Sequence, residues 1–299
     1  MQRTARDAAA AQADRPDHNR QRKAAVINDF TSFGRCSLAV TIPILSAMKV
    51  QCCPVPTAFF TNHTGFESFS WTDNTASLDD YIREWKRLGL RFDAIQSGFL
   101  GSREQVDFVK RFIAAFRDER TVVCVDPVMG DYGRLYATYD DALAESMRSF
   151  LDVADETAAA AMDYVRGGGT LVLTPGSLGK TYGRYRDSGL AAFAASGDTG
   201  AGRVVVSGIP RGETLVNFVY VQGREPTLCA ERKIGGDRSG TGDVFASVIL
   251  ADAVNGVDFA ESVRRASAFT ASAVRRSVEL GLPEKDGLAI EEVIGELVK

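Results

Sequence analysis

From residue 24 onward, apolar runs of strand length alternate with stretches whose apolar residues recur at helical spacing. The run 24–28 is short and apolar, and the turn-prone residues 29–34 follow it. Residues 36–48 then carry helical spacing, and 50–60 reads as a strand. The spacing predicts helices over 78–88 and 103–116, with a short strand around 94–96 between them. Residues 121–125, Thr-Val-Val-Cys-Val, form a continuous β-branched apolar run, the pattern of a strand buried on both faces. An alanine-rich helical stretch at 156–166, a short strand at 170–174 and adjacent strands at 203–207 and 214–221 come next. Helices over 241–253, 259–274 and 290–298 close the chain. This alternation implies an α/β fold, a mostly parallel central sheet with helices on both faces in three α/β/α layers. Ligands of such sheets sit at the carboxyl ends of the strands, so chemistry is sought there.

Residues 1–23 stand outside the alternation. Beyond Met1 and Pro16 they hold no apolar residue larger than alanine, and six basic side chains against three aspartates give the segment a charge of +3. They read as a disordered tail, with residues 24–299 as a single domain. The whole chain carries −4, which favours neither nucleic acid nor an anionic membrane as partner. A chain of this charge must gather positive potential locally to hold a phosphorylated ligand. Five cysteines without C-x-x-C spacing read as reduced thiols, and two histidines, His18 and His63, are too few for a His-rich zinc site. With no signal-peptide pattern and no long apolar run, the cytoplasm is the expected compartment.

The segment Gly235-Gly236-Asp237-Arg238-Ser239-Gly240-Thr241-Gly242-Asp243 carries the strongest chemical signal, since it opens directly into an apolar helix. Glycines at 240 and 242 allow a tight turn and a close backbone approach to a ligand. The first amides of a helix have no intrahelical partner and lie at the positive end of its dipole, which suits an anion. Asp243 stands beside that nest, placed to take a proton from an attacking hydroxyl. Taken alone, the segment also reads as a glycine-rich turn with an aspartate in a first helical turn.

Gly240-Thr241-Gly242-Asp243 before an apolar helix resembles the signature of the ribokinase-like superfamily, and three further segments resemble its pyridoxal kinase branch. Asn62-His63-Thr64-Gly65 is similar to that family's Asn-His-Thr-Gly segment, Ser97-Gly98-Phe99-Leu100 to its Ser/Thr-Gly-Tyr-Leu turn, and Asp126-Pro127-Val128-Met129-Gly130-Asp131 to its Asp-Pro-Val-Met-Gly-Asp motif. The resemblance implies a ribokinase-like fold and ATP-dependent phosphorylation, with Mg2+, of the 5′-hydroxymethyl group of a B6 vitamer. It implies Asp243 as the catalytic base, Gly240, Thr241 and Gly242 as the anion hole, and Asp126 and Asp131 near the nucleotide phosphates and metal. Asp29 and Ser32, in the loop expected after the first strand, and Thr64 correspond to positions near the pyridine ring. His63 reads as a structural histidine bonded to backbone, and the pair Phe59-Phe60 as core. A homodimer is also implied.

The family's Thr-Pro-Asn-x-x-Glu string is absent. The one Thr-Pro, Thr174-Pro175, continues as Gly176-Ser177-Leu178-Gly179-Lys180, with glycines where the family has Asn and Glu. In a second alignment, Glu156 is the surviving glutamate and a third nucleotide- or metal-site residue. Gly179-Lys180-Thr181 resembles the end of a phosphate loop, but Thr174 stands where such a loop needs its first glycine. Two other activities stay open from the sequence: phosphorylation of a hydroxymethylpyrimidine, and binding of vitamer or nucleotide without turnover.

Overall fold

The computed structural model describes residues 17–126, 128, 130–131, 134–135, 138–139, 142–143, 146, 170–173, 203–221 and 223–298. Its central sheet runs in the order β11-β10-β9-β8-β5-β4-β1-β2-β3. The middle of the sheet is parallel: β1 (Lys23–Thr31) lies between β2 (Gln51–Phe60) and β4 (Ala94–Ser97), and β4 pairs with β5 (Val122–Val125). β8 (Thr170–Leu173) joins β5 to β9 (Arg203–Arg211), again in parallel. The edges are antiparallel, with β10 (Thr214–Val221) and β11 (Thr227–Arg232) on one side and β3 (Trp71–Asp73) on the other. A separate two-stranded ribbon pairs β6 (Gly130–Asp131) with β7 (Arg134–Leu135).

The period of two along β1 divides its side chains between two cores. Ala24 and Val26 face one, Ala25 and Ile27 the other, and all four are fully buried. On the first face lie α1 (Leu38–Ala47), α4 (Thr241–Asn255) and α5 (Phe259–Glu279); on the second lie α2 (Leu78–Leu88) and α3 (Arg103–Phe116). This is the expected three-layer α/β/α arrangement. α2 and α3 are amphipathic, whereas α4 is buried along the whole of residues 244–252. A helix apolar on all sides belongs between the sheet and another helix, and α4 packs against both α1 and α5. Its axis is thereby fixed, and its N-terminus is held where a ligand would meet it.

Several expectations change. β1 runs on to Thr31, because Phe30 and Thr31 pair with Phe59 and Phe60 beyond an irregularity at 28–30. Asp29 therefore sits inside a strand and not in the loop after it. The closing segment 290–298 is not a helix but two 3-10 turns, Ile290–Glu292 and Ile294–Leu297. Ile290, Val293 and Leu297 are nonetheless buried, so the helical spacing marked anchor points for a chain laid over α5. Phe60 is core, but Phe59 is 45% exposed, as alternation along a strand requires. The edge strands β3 and β11 are largely exposed and carry no apolar run, so periodicity did not reveal them.

Residues 17–22 dock on the fold. Asn19 donates to Gly89 O and accepts from the Arg91 amide, and Arg22 donates to Val254 O. Lys23 is 3% exposed, with Nζ donating to the carbonyls of His18 and Gln21. Residues 1–16 and the expected helix at 156–166 lie outside the described residues.

Candidate active site

The site is built on the N-terminus of α4. Gly240 occupies its N-cap position in the left-handed region, φ 78°, and no side chain caps the helix there. The first-turn amides of Thr241 and Gly242 thus lack the capping bond that an N-cap Ser or Asp supplies. Gly240 is required twice over, by its φ and because a Cβ on it would collide with the carbonyl of Arg35. Thr241 turns its hydroxyl back to Arg238 O at 3.2 Å, which closes the loop that leads into the helix. Asp243 follows in the first turn, its carbonyl bonded by Ser247 Oγ at 2.6 Å.

Asn28, near the carboxyl end of β1, donates from Nδ2 to Asp243 Oδ1 at 3.3 Å. Its own Oδ1 accepts from the amides of Asp29 at 3.0 Å and Phe99 at 2.8 Å. The side chain is 2% exposed, so three of its hydrogen bonds are internal and its orientation is fixed. The sequence reading missed Asn28. A polar residue ending an otherwise apolar strand was the available signal.

Asp29 is buried, and burial raises its carboxyl above the ordinary range against the opposing bonds from Ser37 and Thr31. Thr31 Oγ1 donates to Asp29 Oδ2 at 2.6 Å. The Cys36 thiol is pushed well up by burial first, and then by the charges of Asp29 and Asp243. Burial also raises the Tyr139 phenol, and Asp29 and Asp126 add to it. These two reporters set Asp29, Asp126 and Asp243 in one electrostatic neighbourhood at the carboxyl ends of the parallel strands. Asp126 directly follows β5, is 7% exposed, and its amide donates to Ser97 O.

The remaining expected residues lie further out. Ser32 is exposed in the loop beyond β1, with its amide on Phe60 O. Thr64 is half-buried in the turn held by His63, whose Nε2 stands 2.7 Å from Lys285 O while Nδ1 accepts from the Gly65 amide. His63 is thus the structural histidine expected. Among the described residues no hydrogen bond links Ser32 or Thr64 to Asp29 or Asp243. Asp131 lies in β6, paired with Arg134 across the ribbon. Glu156 and Thr174–Lys180, the positions that bear on the missing Thr-Pro-Asn-x-x-Glu string, lie outside the described residues. β8 ends at Leu173, directly before Thr174, as a parallel neighbour of β5.

Among the described residues no three His, Cys, Asp or Glu side chains cluster as a metal cage. Magnesium does not need one, since it keeps waters and binds through one or two carboxylates plus substrate phosphates. A buried carboxylate at a strand end, Asp126, fits that mode of binding.

A mostly parallel three-layer sheet with an uncapped helix N-terminus and an aspartate at its strand ends is the arrangement expected of a ribokinase-like kinase. Residues 185–287 match the family model for phosphomethylpyrimidine kinase. A pyridoxine/pyridoxal/pyridoxamine kinase of Bordetella avium is 28% identical over 282 residues, covering 85% of this chain and 86% of its own. The crystal structure of a Bacteroides thetaiotaomicron protein assigned as a phosphomethylpyrimidine kinase, solved with pyridoxal, is 30% identical. It superposes with a TM-score of 0.82 over 94% of this chain and 96% of its own. Pyridoxal kinase from Lactobacillus plantarum shares the fold at a TM-score of 0.78, with 22% identity over 93% of this chain and 96% of its own. Together these similarities support the pyridoxal kinase family for this chain. Among the described residues, no helix is long and apolar enough to cross a membrane.

Proposed function

We propose that residues 24–299 act as one kinase domain that transfers the γ-phosphoryl group of ATP to the 5′-hydroxymethyl group of pyridoxal, pyridoxine or pyridoxamine. The observation that carries this reading is the Asn28–Asp243 hydrogen bond beside the uncapped N-terminus of α4. Asp243 is the general base: it accepts the hydroxyl proton as the oxygen attacks phosphorus. Asn28 aims the carboxylate, so that the base does not have to be ordered in each turnover. The amides of Gly240, Thr241 and Gly242 stabilise the charge on the transferring phosphoryl oxygens, and the dipole of α4 adds to them. Asp126, with Asp131, would hold Mg2+, which neutralises phosphate charge during transfer. Asp29, Ser32 and Thr64 are assigned to the pyridine ring.

The names of the relatives support a B6 vitamer as acceptor, and the bound pyridoxal of the Bacteroides structure supports a ring of that size. ADP in the Leishmania donovani pyridoxal kinase structures supports an adenine nucleotide as donor. A second acceptor, a hydroxymethylpyrimidine, is favoured by the family model matched by residues 185–287 and by the assignment of the Bacteroides protein. Part of the same proposal is a cytoplasmic homodimer, which light scattering on the purified chain tests.

The deciding experiment incubates the protein with ATP and magnesium plus each vitamer or hydroxymethylpyrimidine, and follows ADP release. Turnover with a vitamer is the expected result. Turnover with the pyrimidine alone reassigns the acceptor, and no turnover with any of them ends the kinase reading.

A further inference from the structure

The segment 282–287 contributes no residue to the site described above, yet it touches three of the loops that form it. The carbonyls of Leu282 and Pro283 accept from Arg238 Nη2 at 2.9 Å and Nη1 at 3.0 Å. Lys285 O stands 2.7 Å from His63 Nε2. Because His63 Nδ1 accepts from the Gly65 amide, Nε2 carries the proton and donates to Lys285 O. Asp286 O accepts from Arg35 Nη1 at 3.1 Å. Four carbonyls in this short stretch are therefore claimed by side chains from three separate loops.

Each loop carries part of the proposed site. Arg238 lies in the loop entering α4, and its own carbonyl receives the Thr241 hydroxyl. That loop also lies close against the segment, since a Cβ on Gly236 would collide with the Glu284 carboxylate. His63 fixes the turn that contains Thr64, and Arg35 belongs to the loop of Ser32, whose chain abuts Gly240. Arg238 is 9% exposed, so its paired hydrogen bonds are largely shielded from water. Shielded charged donors to backbone carbonyls hold geometry more firmly than exposed ones do.

Loops bonded to one short segment do not move independently. We infer that the 282–287 segment couples acceptor binding to nucleotide binding, with Arg238 as the positioning residue on the nucleotide side. This rests on the kinase reading of the same site. Ordering of the acceptor loops by a vitamer sets the segment, the segment sets Arg238, and Arg238 sets the phosphate loop. By linkage the effect runs equally in the other direction.

The test is calorimetric titration with a non-hydrolysable ATP analogue, with and without saturating pyridoxal. In the wild type, pyridoxal should tighten analogue binding about tenfold, within the usual range of such couplings. Arg238→Ala should lose most of the mutual effect, whatever its affinity for each ligand alone. Arg238→Lys should recover part of it, because an ammonium reaches these carbonyls without the guanidinium's fixed fork. Arg35→Ala cuts the opposite arm and should lower the same ratio, which keeps the inference testable if Arg238→Ala does not fold. A variant that weakens both ligands while leaving the ratio unchanged shows a purely structural Arg238 and overturns the inference. Wild type that binds both ligands without mutual effect overturns the inference alone. Wild type that binds neither overturns the kinase reading with it.

Discussion

Asn28 Nδ2 donates to Asp243 Oδ1 at 3.3 Å, tying the first strand of the sheet to a residue 215 positions later in the first turn of α4. The same amide side chain accepts from the Asp29 and Phe99 backbone, so one buried residue fixes the carboxyl ends of β1 and β4 together with the proposed base. Asn28→Asp keeps the accepting oxygen but places a second carboxylate against Asp243. The expected outcome is a folded protein whose turnover falls tenfold or more, roughly the effect of mispositioning a general base. Asn28→Ala should instead cost stability, about 1–3 kcal/mol for each buried amide left without its acceptor. Steady-state kinetics and thermal unfolding of the two variants separate these effects.

Asp243→Asn removes the proposed base without changing the shape of the first turn. Turnover should fall about 10²- to 10⁴-fold, the usual contribution of a positioned general base. Binding of an ATP analogue should stay near the wild-type value, because the amides of the helix N-terminus remain. Near-normal turnover in this variant would remove Asp243 from the mechanism.

Gly240→Ala puts a side chain where φ is 78° and where the Arg35 carbonyl stands. The backbone penalty alone is about 1–2 kcal/mol, and relief of the collision must displace either the loop that leads into α4 or the loop after β1. Expected outcomes are a lowered unfolding temperature and a larger loss in kcat/KM than the stability change accounts for. Activity equal to wild type would show that the turn adapts without harm to the proposed anion hole.

Asp29 gives a pH dependence with a defined sign. Burial raises its carboxyl in the folded state above the ordinary 3.8. In strong acid both folded and unfolded states hold the proton, and Asp29 costs nothing. As pH rises past 3.8 the unfolded state ionises first, so this residue's contribution to stability falls until the folded group ionises too. Asp29→Asn stays neutral and can still accept from Thr31. Its unfolding temperature, relative to wild type, should therefore improve between pH 3 and pH 7. A difference that does not change with pH would refute burial as the dominant influence.

Much of the layer structure was legible because periodicity is a local property. Helices α2 and α3 begin and end where their spacing says, and the apolar run at 121–125 contains a strand buried between two cores. The glycines before α4 were also legible, since φ above zero and close approach both demand glycine whatever lies across from it. The edge strands were not, because an exposed strand has no apolar face to conserve the signal. The last turns over α5 misled, because apolar residues spaced for a helix also suit anchor points on a flat helical surface.

The sequence by itself determined a glycine-rich turn at residues 240–243, with an aspartate in it, opening an apolar helix. Composition, glycine spacing and the apolar helix behind them are all read along the chain. Tertiary structure decided what orients that aspartate. Asn28 meets Asp243, and Asp29, Asp126 and Asp243 share one neighbourhood, because parallel strands bring their carboxyl ends together from distant stretches of chain. The burial that fixes Asn28 and raises Asp29 is likewise a property of the assembled layers, since no local stretch can exclude water from a strand end on its own.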